Sequence, residues 1–156
     1  MYSTALKGLT LDWIYSQNAA TPAMYCSNGD VIYAAGSIVL NITTDEDDKA
    51  VQEYFMGHLG HVTSIDVFKM NDSVGDMVSS ADTGSESKIC LWSSTTLSLI
   101  VTIPCFHQSG TPKLNFSPSS ELLLSLGNND LNSVVVYEWR EKRMLFTSKV
   151  AGIGNI

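Results

Sequence analysis

The sequence has 156 residues, of which 44% are hydrophobic and 16% charged, a balance typical of a folded globular protein rather than a disordered or fibrous one. Its formal net charge of −7 disfavours binding to a phosphate backbone, unless its few cations cluster on one surface. The one such cluster, Arg140, Lys142 and Arg143, stands beside two glutamates in a predicted hairpin turn. We therefore expect no direct binding to nucleic acid.

The cysteines and the apolar runs indicate the cellular setting. Three cysteines are present, Cys26, Cys90 and Cys105, with no C-x-x-C pair and no histidine at the spacing of a zinc site. An odd number without a disulfide pattern fits a reducing intracellular compartment. Residues 1–12 lack the basic start and apolar run of a secretory signal, and the longest apolar stretch, 31–40, is about half the ~20 residues that span a bilayer. We expect a cytoplasmic protein without a membrane segment.

Short runs rich in Val, Ile, Leu and aromatic residues recur along the chain at intervals of about ten residues, and turn residues separate them. This pattern predicts strands, and nothing in the middle of the chain predicts a helix. The predicted strands are 31–35, 38–42, 62–68, 77–81, 88–92, 97–103, 113–116, 122–126, 134–139 and 144–150. The fold class that follows is all-β.

Two of the predicted strands, at 89–92 and 134–137, are apolar at consecutive positions rather than at alternate ones. A strand of this kind has both faces buried, which is unusual for an antiparallel sheet with one wet face. It is expected of inner strands in sheets that stack face to face around an axis.

The strand pattern occurs twice in succession. Gly57-His58, a strand at 62–68, small residues at 79–81 and an apolar strand ending in Trp92 form the first round. The second round begins at His107 and ends in an apolar strand that contains Tyr137. His58 and His107 lie 49 positions apart, and Trp92 and Tyr137 lie 45 apart. These steps are at or just above the roughly 40–45 residues of one β-propeller blade.

Gly57-His58, followed 34 residues later by Trp92, resembles the G-H…W-D signature of WD repeats. In that family a His, a hydroxyl residue, an Asp and the Trp hydrogen-bond across the blade. The resemblance places Glu86 at the usual Asp position, six residues before Trp92, and Ser93 replaces the Asp after the Trp. The network residues that it implies in the two rounds are His58, Ser80, Glu86, Trp92, His107 and Tyr137.

The first third of the chain resembles the opening of echinoderm-microtubule-associated-protein-like propellers, in which an L-x-W-x-Y/F-G segment begins an atypical blade. Leu11, Trp13 and Tyr15 match that motif, and Ser16 replaces its glycine. Segments 80–84 and 134–139 are also similar to that group and to WD-repeat proteins of ciliary axonemes. The implied domains are an opening blade at 1–56, WD blades at 57–104 and 105–150, and the start of a further blade or a tail at 151–156.

Motifs of catalysis and ligand binding are absent from the sequence. It has no G-x-S-x-G elbow, P-loop or H-E-x-x-H motif, and the acidic run 45–48 lacks the alternating spacing of a calcium loop. The three histidines fall in turns of the repeat rather than on one face. We therefore expect a non-enzymatic protein with no catalytic residue, metal, cofactor or small-molecule substrate.

The resemblance implies an incomplete β-propeller of about three four-stranded antiparallel blades, whereas closed propellers usually have about four to eight. The expected partners are therefore further blades, in the same or another chain, and other proteins. The leading hypothesis is a protein-binding scaffold in a microtubule or ciliary axoneme assembly, located in the cytoplasm and on the cytoskeleton or cilium. The alternative is a propeller in a kinase-binding or other signalling complex.

Overall fold

Twelve β-strands and their turns make up the part of the chain that the computed structural model describes, which is residues 11–70, 75–107, 111, 113–127 and 133–149. The strands are β1 (Met24–Tyr25), β2 (Val31–Ala35), β3 (Ile38–Thr44), β4 (Ala50–Phe55), β5 (Val62–Phe68), β6 (Met77–Asp82), β7 (Lys88–Ser93), β8 (Leu99–Pro104), β9 (Lys113–Phe116), β10 (Leu122–Leu126), β11 (Ser133–Glu138) and β12 (Arg143–Lys149). No helix occurs in these ranges, so the all-β prediction is confirmed for them. The segment expected at 151–156 lies outside the described residues.

The strands form three antiparallel four-stranded sheets, in which each strand pairs with the next one along the chain. The first sheet contains β1 to β4, the second β5 to β8 and the third β9 to β12. The second and third sheets have the same strand register. Ser80 on β6 pairs with Cys90 on β7, and Ser125 on β10 pairs with Val135 on β11 in the same way. Equivalent positions of the two sheets can therefore be compared residue by residue.

Two strands were missing from the sequence prediction, β1 and β4. β1 has only two residues, which is too short to show any periodicity. β4 has the sequence AVQEYF, in which Gln52 and Glu53 interrupt the apolar run. Gln52 is nevertheless buried, because its amide is fully hydrogen-bonded inside the structure rather than solvated. A polar residue in a buried strand position is not visible to a hydrophobic pattern.

Two apolar layers hold the three sheets together. The layer between the first and second sheets is formed by Cys26, Ile32, Ala34, Val39, Phe55, Val62, Ile65, Val78, Cys90 and Trp92. The layer between the second and third sheets is formed by Met77, Ala81, Ile89, Leu91, Val101, Ile103, Leu114, Leu123, Val135, Tyr137 and Trp139. The second sheet is thus covered on both faces, and all six residues of β6 are buried.

The prediction of strands buried on both faces is confirmed at 89–92 and wrong at 134–137. Residues 89–92 are all buried, since the second sheet lies between two others. In β11, buried Val135 and Tyr137 alternate with half-buried Val134 and Val136. The third sheet has a neighbour on only one face among the described residues, so the other face of this strand is partly open.

Successive sheets approach each other most closely at their first strands. The backbones of β1 and β2 lie near β5, and those of β5 and β6 lie near β9. Carboxylates add polar links between sheets: Asp66 accepts a 2.7 Å hydrogen bond from the backbone N of Phe116, and Asp76 accepts a 2.9 Å bond from the Ser27 hydroxyl. Within the ranges described, no helix has the length and apolar character that crossing a bilayer requires.

Candidate functional site

A buried polar network joins the loop after β4 to the two central strands of the second sheet. His58 lies in that loop, and its Nε2 is 2.7 Å from Oγ of Ser80 on β6. The indole Nε1 of Trp92 on β7 donates a 3.0 Å hydrogen bond to the same oxygen. Since an indole N–H is a donor only, Ser80 accepts it and can donate its own proton to His58 Nε2. The structure thus brings together three of the predicted residues.

The carboxylate of this network belongs to Asp82, the last residue of β6. Its Oδ2 lies 3.2 Å from Nδ1 of His58, in a polar contact that is bent rather than straight. Asp82 also accepts backbone hydrogen bonds from Lys88 at 2.7 Å and from Gly60 at 3.3 Å. A neutral His58 with its proton on Nδ1 satisfies both neighbours. Asp82 therefore connects the histidine loop to the β6–β7 turn.

Glu86 does not take part in the network, and this corrects the assignment made from the resemblance. Its side chain is exposed on the β6–β7 turn, and no described residue pairs with it. Counting six residues back from Trp92 leads into that turn rather than to the strand. The signal that identifies Asp82 is the alternation of β6, because residues two apart lie on the same face, as Ser80 and Asp82 do.

The third sheet contains a second network of the same form, without a charge. His107 is buried in the loop after β8, with Nε2 3.1 Å from the hydroxyl of Ser125 and Nδ1 3.2 Å from that of Ser133. Ser125 is equivalent to Ser80, and Ser133 takes the role of Asp82. The Tyr137 hydroxyl accepts a 3.2 Å hydrogen bond from the backbone N of Phe106, beside His107. The residues implied by the resemblance include His107 and Tyr137 but neither serine.

Two glycines leave room for the ring of Phe55 and for the ring of His107. A Cβ on Gly57 would lie 2.3 Å from the ring of Phe55, and a Cβ on Gly127 would lie 2.1 Å from Nδ1 of His107. Phe55 is a further residue that sequence analysis missed. Its ring stacks on that of Trp92 with centroids 4.5 Å apart and planes at 7°, and it meets the ring of His58 edge-on. Each network therefore sits at a junction between two sheets rather than within one.

The first network has the residue types of a catalytic triad but a buried serine. Asp82, His58 and Ser80 follow the order of a hydrolase triad, in which the serine must be free to attack a substrate. Ser80 is 0% exposed, and its oxygen already accepts the indole proton of Trp92. The Ser80 hydroxyl is therefore closed to solvent in this structure. Within the described ranges, no three His, Cys, Asp or Glu side chains are placed to hold a metal ion together.

Burial lowers the pKa of both network histidines. For His58 the loss of solvation outweighs the opposing effect of the nearby Asp82 carboxylate, and for His107 it outweighs hydrogen bonding to Ser125. Both imidazoles are therefore neutral in the folded protein near pH 7. A neutral imidazole can accept at one ring nitrogen and donate at the other, as both networks require.

We expect the stability of the chain to fall in mild acid. Below the ordinary histidine value of 6.5, the unfolded chain binds protons that the folded chain does not, because both folded pKa values are lowered. The full stability is thus present above pH 6.5 and is lost as the pH falls through the folded values, with a slope of at most about 1.4 kcal/mol per pH unit for each histidine. Urea unfolding between pH 7.5 and 5.5 measures this. His107→Asn should remove about half of the slope, and a stability independent of pH in this range would refute the prediction.

The opening motif lies apart from these networks. Tyr15 is 92% exposed and Leu11 is 55% exposed, whereas Trp13 is half-buried. The segment is held through its backbone, since the N and O of Ile14 bond the side-chain amide of Gln52 at 2.8 and 3.0 Å. The rings of Trp13 and Tyr15 lie 6.2 Å apart between centroids, and Leu11 and Tyr15 are largely in solvent.

Two of the three clustered cations, Arg140 and Arg143, have partners close by in sequence. The Arg140 guanidinium lies 4.3 Å from the centre of the Trp139 ring, and Arg143 pairs with Glu138. This is the arrangement of a solvated turn.

No protein-family model matches the chain.

Proposed function

We propose that the three sheets are blades of an incomplete WD-type β-propeller and that the protein is a scaffold that binds other proteins. The observation that carries the proposal is the repeated network. In two successive sheets, a histidine in the preceding loop bonds a serine on the second strand, and an aromatic residue on the third strand lies beside it. The closest approach at the first strands also supports a radial arrangement of the sheets.

The open face of the third sheet supports the presence of further blades. Leu124, Val134, Val136 and Phe146 point away from the second sheet and are at most half-buried. By register, Val134 and Val136 are equivalent to Ile89 and Leu91, which pack against the third sheet. Asn115 likewise takes the position of Asp66, whose carboxylate bonds the next sheet. These positions suit contact with another sheet of the same type.

The loops at one edge of the sheets offer a surface for protein partners. Met56 and Leu59 in the β4–β5 loop are 70% and 81% exposed, and Phe106 in the β8–β9 loop is 47% exposed. Large apolar side chains on loops of a rigid framework are typical of binding surfaces. Acidic tubulin tails are poor candidates for this acidic chain, so we propose an axonemal or other cytoskeletal protein as the partner.

Affinity capture from axonemal extract tests the proposal. The tagged chain should retain axonemal structural proteins, and it should not sediment with microtubules of purified tubulin alone. The double variant Met56→Asp/Leu59→Asp should retain at least about tenfold less, since central apolar contacts dominate such interfaces. Leu99→Asp, on an exposed position of β8, is the matched control and should bind as the unchanged chain does. Recovery of signalling proteins in place of cytoskeletal ones would overturn the axonemal assignment.

A further inference from the structure

Residues 11–17, which we call the strap, cross the outer face of the first sheet. Cross-strand register places Tyr33, Leu40, Gln52 and Tyr54 on that face, because Ala34, Val39 and Phe55 face the second sheet. Leu40 is 0% exposed even though it points away from the second sheet. The strap contacts this face at Gln52 and Tyr54.

The side-chain amide of Gln52 binds the backbone of the strap and makes all the hydrogen bonds it can. Its Oε1 accepts from the Ile14 N and from the Tyr54 hydroxyl at 3.1 Å, and its Nε2 donates to the Ile14 O and to the Tyr33 hydroxyl at 3.1 Å. All four hydrogen-bonding positions of the amide are thus occupied. Because these bonds engage the backbone of the strap, they do not depend on its side chains.

The strap is held weakly for a segment that covers a sheet. The side chains of Leu11 and Tyr15 are largely in solvent, and only Trp13 and Ile14 are half-buried. Beyond the two bonds with Gln52, a long 3.4 Å contact joins the Tyr54 hydroxyl to the Asp12 O. Each net hydrogen bond changes an equilibrium constant by only about two- to tenfold. Another surface of matching shape can therefore compete with the strap.

The face under the strap and the open face of the third sheet are complementary by repetition. We call the face of a sheet that points toward the next sheet along the chain its forward face, and the opposite face its backward face. Each junction inside the molecule joins the forward face of one sheet to the backward face of the next. The face under the strap is a backward face, and the open face with Leu124 and Phe146 is a forward face. Both ends of the stack thus present the two kinds of surface that already pack together twice within the chain.

We propose that the strap is a removable cap, whose release lets two copies of this chain join head to tail. Two such contacts between two copies would place their six described sheets in one ring, which is within the roughly four to eight blades of closed propellers. A head-to-tail contact that closes in this way gives a discrete dimer rather than an open fibre. The proposal goes beyond the scaffold role, because it concerns the outer faces of the first and third sheets rather than the surface that binds other proteins.

Light scattering coupled to size-exclusion chromatography over a range of concentrations tests the cap. Ile14→Pro removes the backbone N–H that donates to Gln52, and Gln52→Ala removes the side-chain amide that binds the strap. Ile14→Pro removes one strap bond and should lower the dissociation constant of a dimer, with twice the 17.0 kDa mass of the chain, by about two- to tenfold; Gln52→Ala removes both bonds and should lower it at least as much. Gln17→Ala is the matched control, since Gln17 is exposed and makes one long 3.4 Å bond, and it should leave the constant unchanged.

A reversal variant separates docking from misfolding. Leu124→Lys puts a charge on the open face of the third sheet and should return both strap variants to monomers with unchanged circular dichroism. Ile14→Pro lies outside every strand, so it tests the cap even if Gln52→Ala fails to fold. The cap is refuted if Ile14→Pro dimerises no better than the unchanged chain, or if Leu124→Lys does not reverse the association. Neither result bears on axonemal capture through Met56 and Leu59.

Discussion

Replacing Trp92 by alanine is expected to lower the free energy of unfolding by about 3–5 kcal/mol, the usual range for truncating a large buried aromatic residue. Trp92 is fully buried between the first and second sheets, where its ring stacks on that of Phe55. Its loss would open a cavity in that layer and leave the Ser80 hydroxyl without its indole donor. Urea unfolding followed by far-ultraviolet circular dichroism measures the change.

Two variants divide the effect of Trp92 into its parts. Trp92→Phe keeps a ring against Phe55 but removes the indole N–H, so it should cost about 1–3 kcal/mol. Tyr15→Ala truncates an aromatic residue that is 92% exposed and should change stability by no more than about 0.5 kcal/mol. A loss below about 1 kcal/mol for Trp92→Ala would show that Trp92 does not anchor the layer between these sheets.

Asp82→Ala is expected to lower the free energy of unfolding by about 3 kcal/mol or more, whereas Glu86→Ala should change it by no more than about 0.5 kcal/mol. The Asp82 carboxylate accepts from two backbone N–H groups and contacts His58, and its side chain is only 2% exposed. Alanine would leave two partly buried backbone donors without an acceptor, which is costlier than losing both partners of a bond. Chemical denaturation of both variants gives the comparison.

Asp82→Asn is the sharper companion variant. It keeps the volume of the side chain but replaces one acceptor oxygen by an NH₂ group, which must face the backbone N of Lys88, the backbone N of Gly60 or His58. We expect a loss between those of Glu86→Ala and Asp82→Ala. If Glu86→Ala were the more damaging of the two alanine variants, the assignment of the network carboxylate to Asp82 would be wrong.

Strand positions followed from local sequence where strands are apolar and bounded by turn residues. β2, β5, β9 and β10 were located to the residue, because each is a short apolar or alternating run with a turn residue on either side. β4 was missed because its buried Gln52 is solvated by protein groups rather than by water. Patterning reports the average polarity of a face and cannot report a hydrogen bond made to a distant segment.

Which residues are partners within the network could not all be predicted from the sequence, because the geometry of the turns decides it. Ser80 and Trp92 were assigned from the resemblance to the WD-repeat signature, and the structure places their side chains together. Glu86 was chosen by counting along a turn, where sequence distance does not measure distance in space. Ser125 lies in the second round of the repeat, at the position equivalent to Ser80, but it was not among the assigned network residues, and Ser133 carried no signal of its own.

By itself, the sequence determined the all-β class, most strand positions and a repeat centred on His58 and His107, because side-chain alternation and turn residues act over a few neighbouring positions. Only the tertiary structure decided that Asp82 rather than Glu86 meets His58, that Phe55 of one sheet stacks on Trp92 of the next, and that the strap lies on Gln52. These contacts join segments up to 38 positions apart, and their energies depend on burial and direction, which exist only once the sheets have packed.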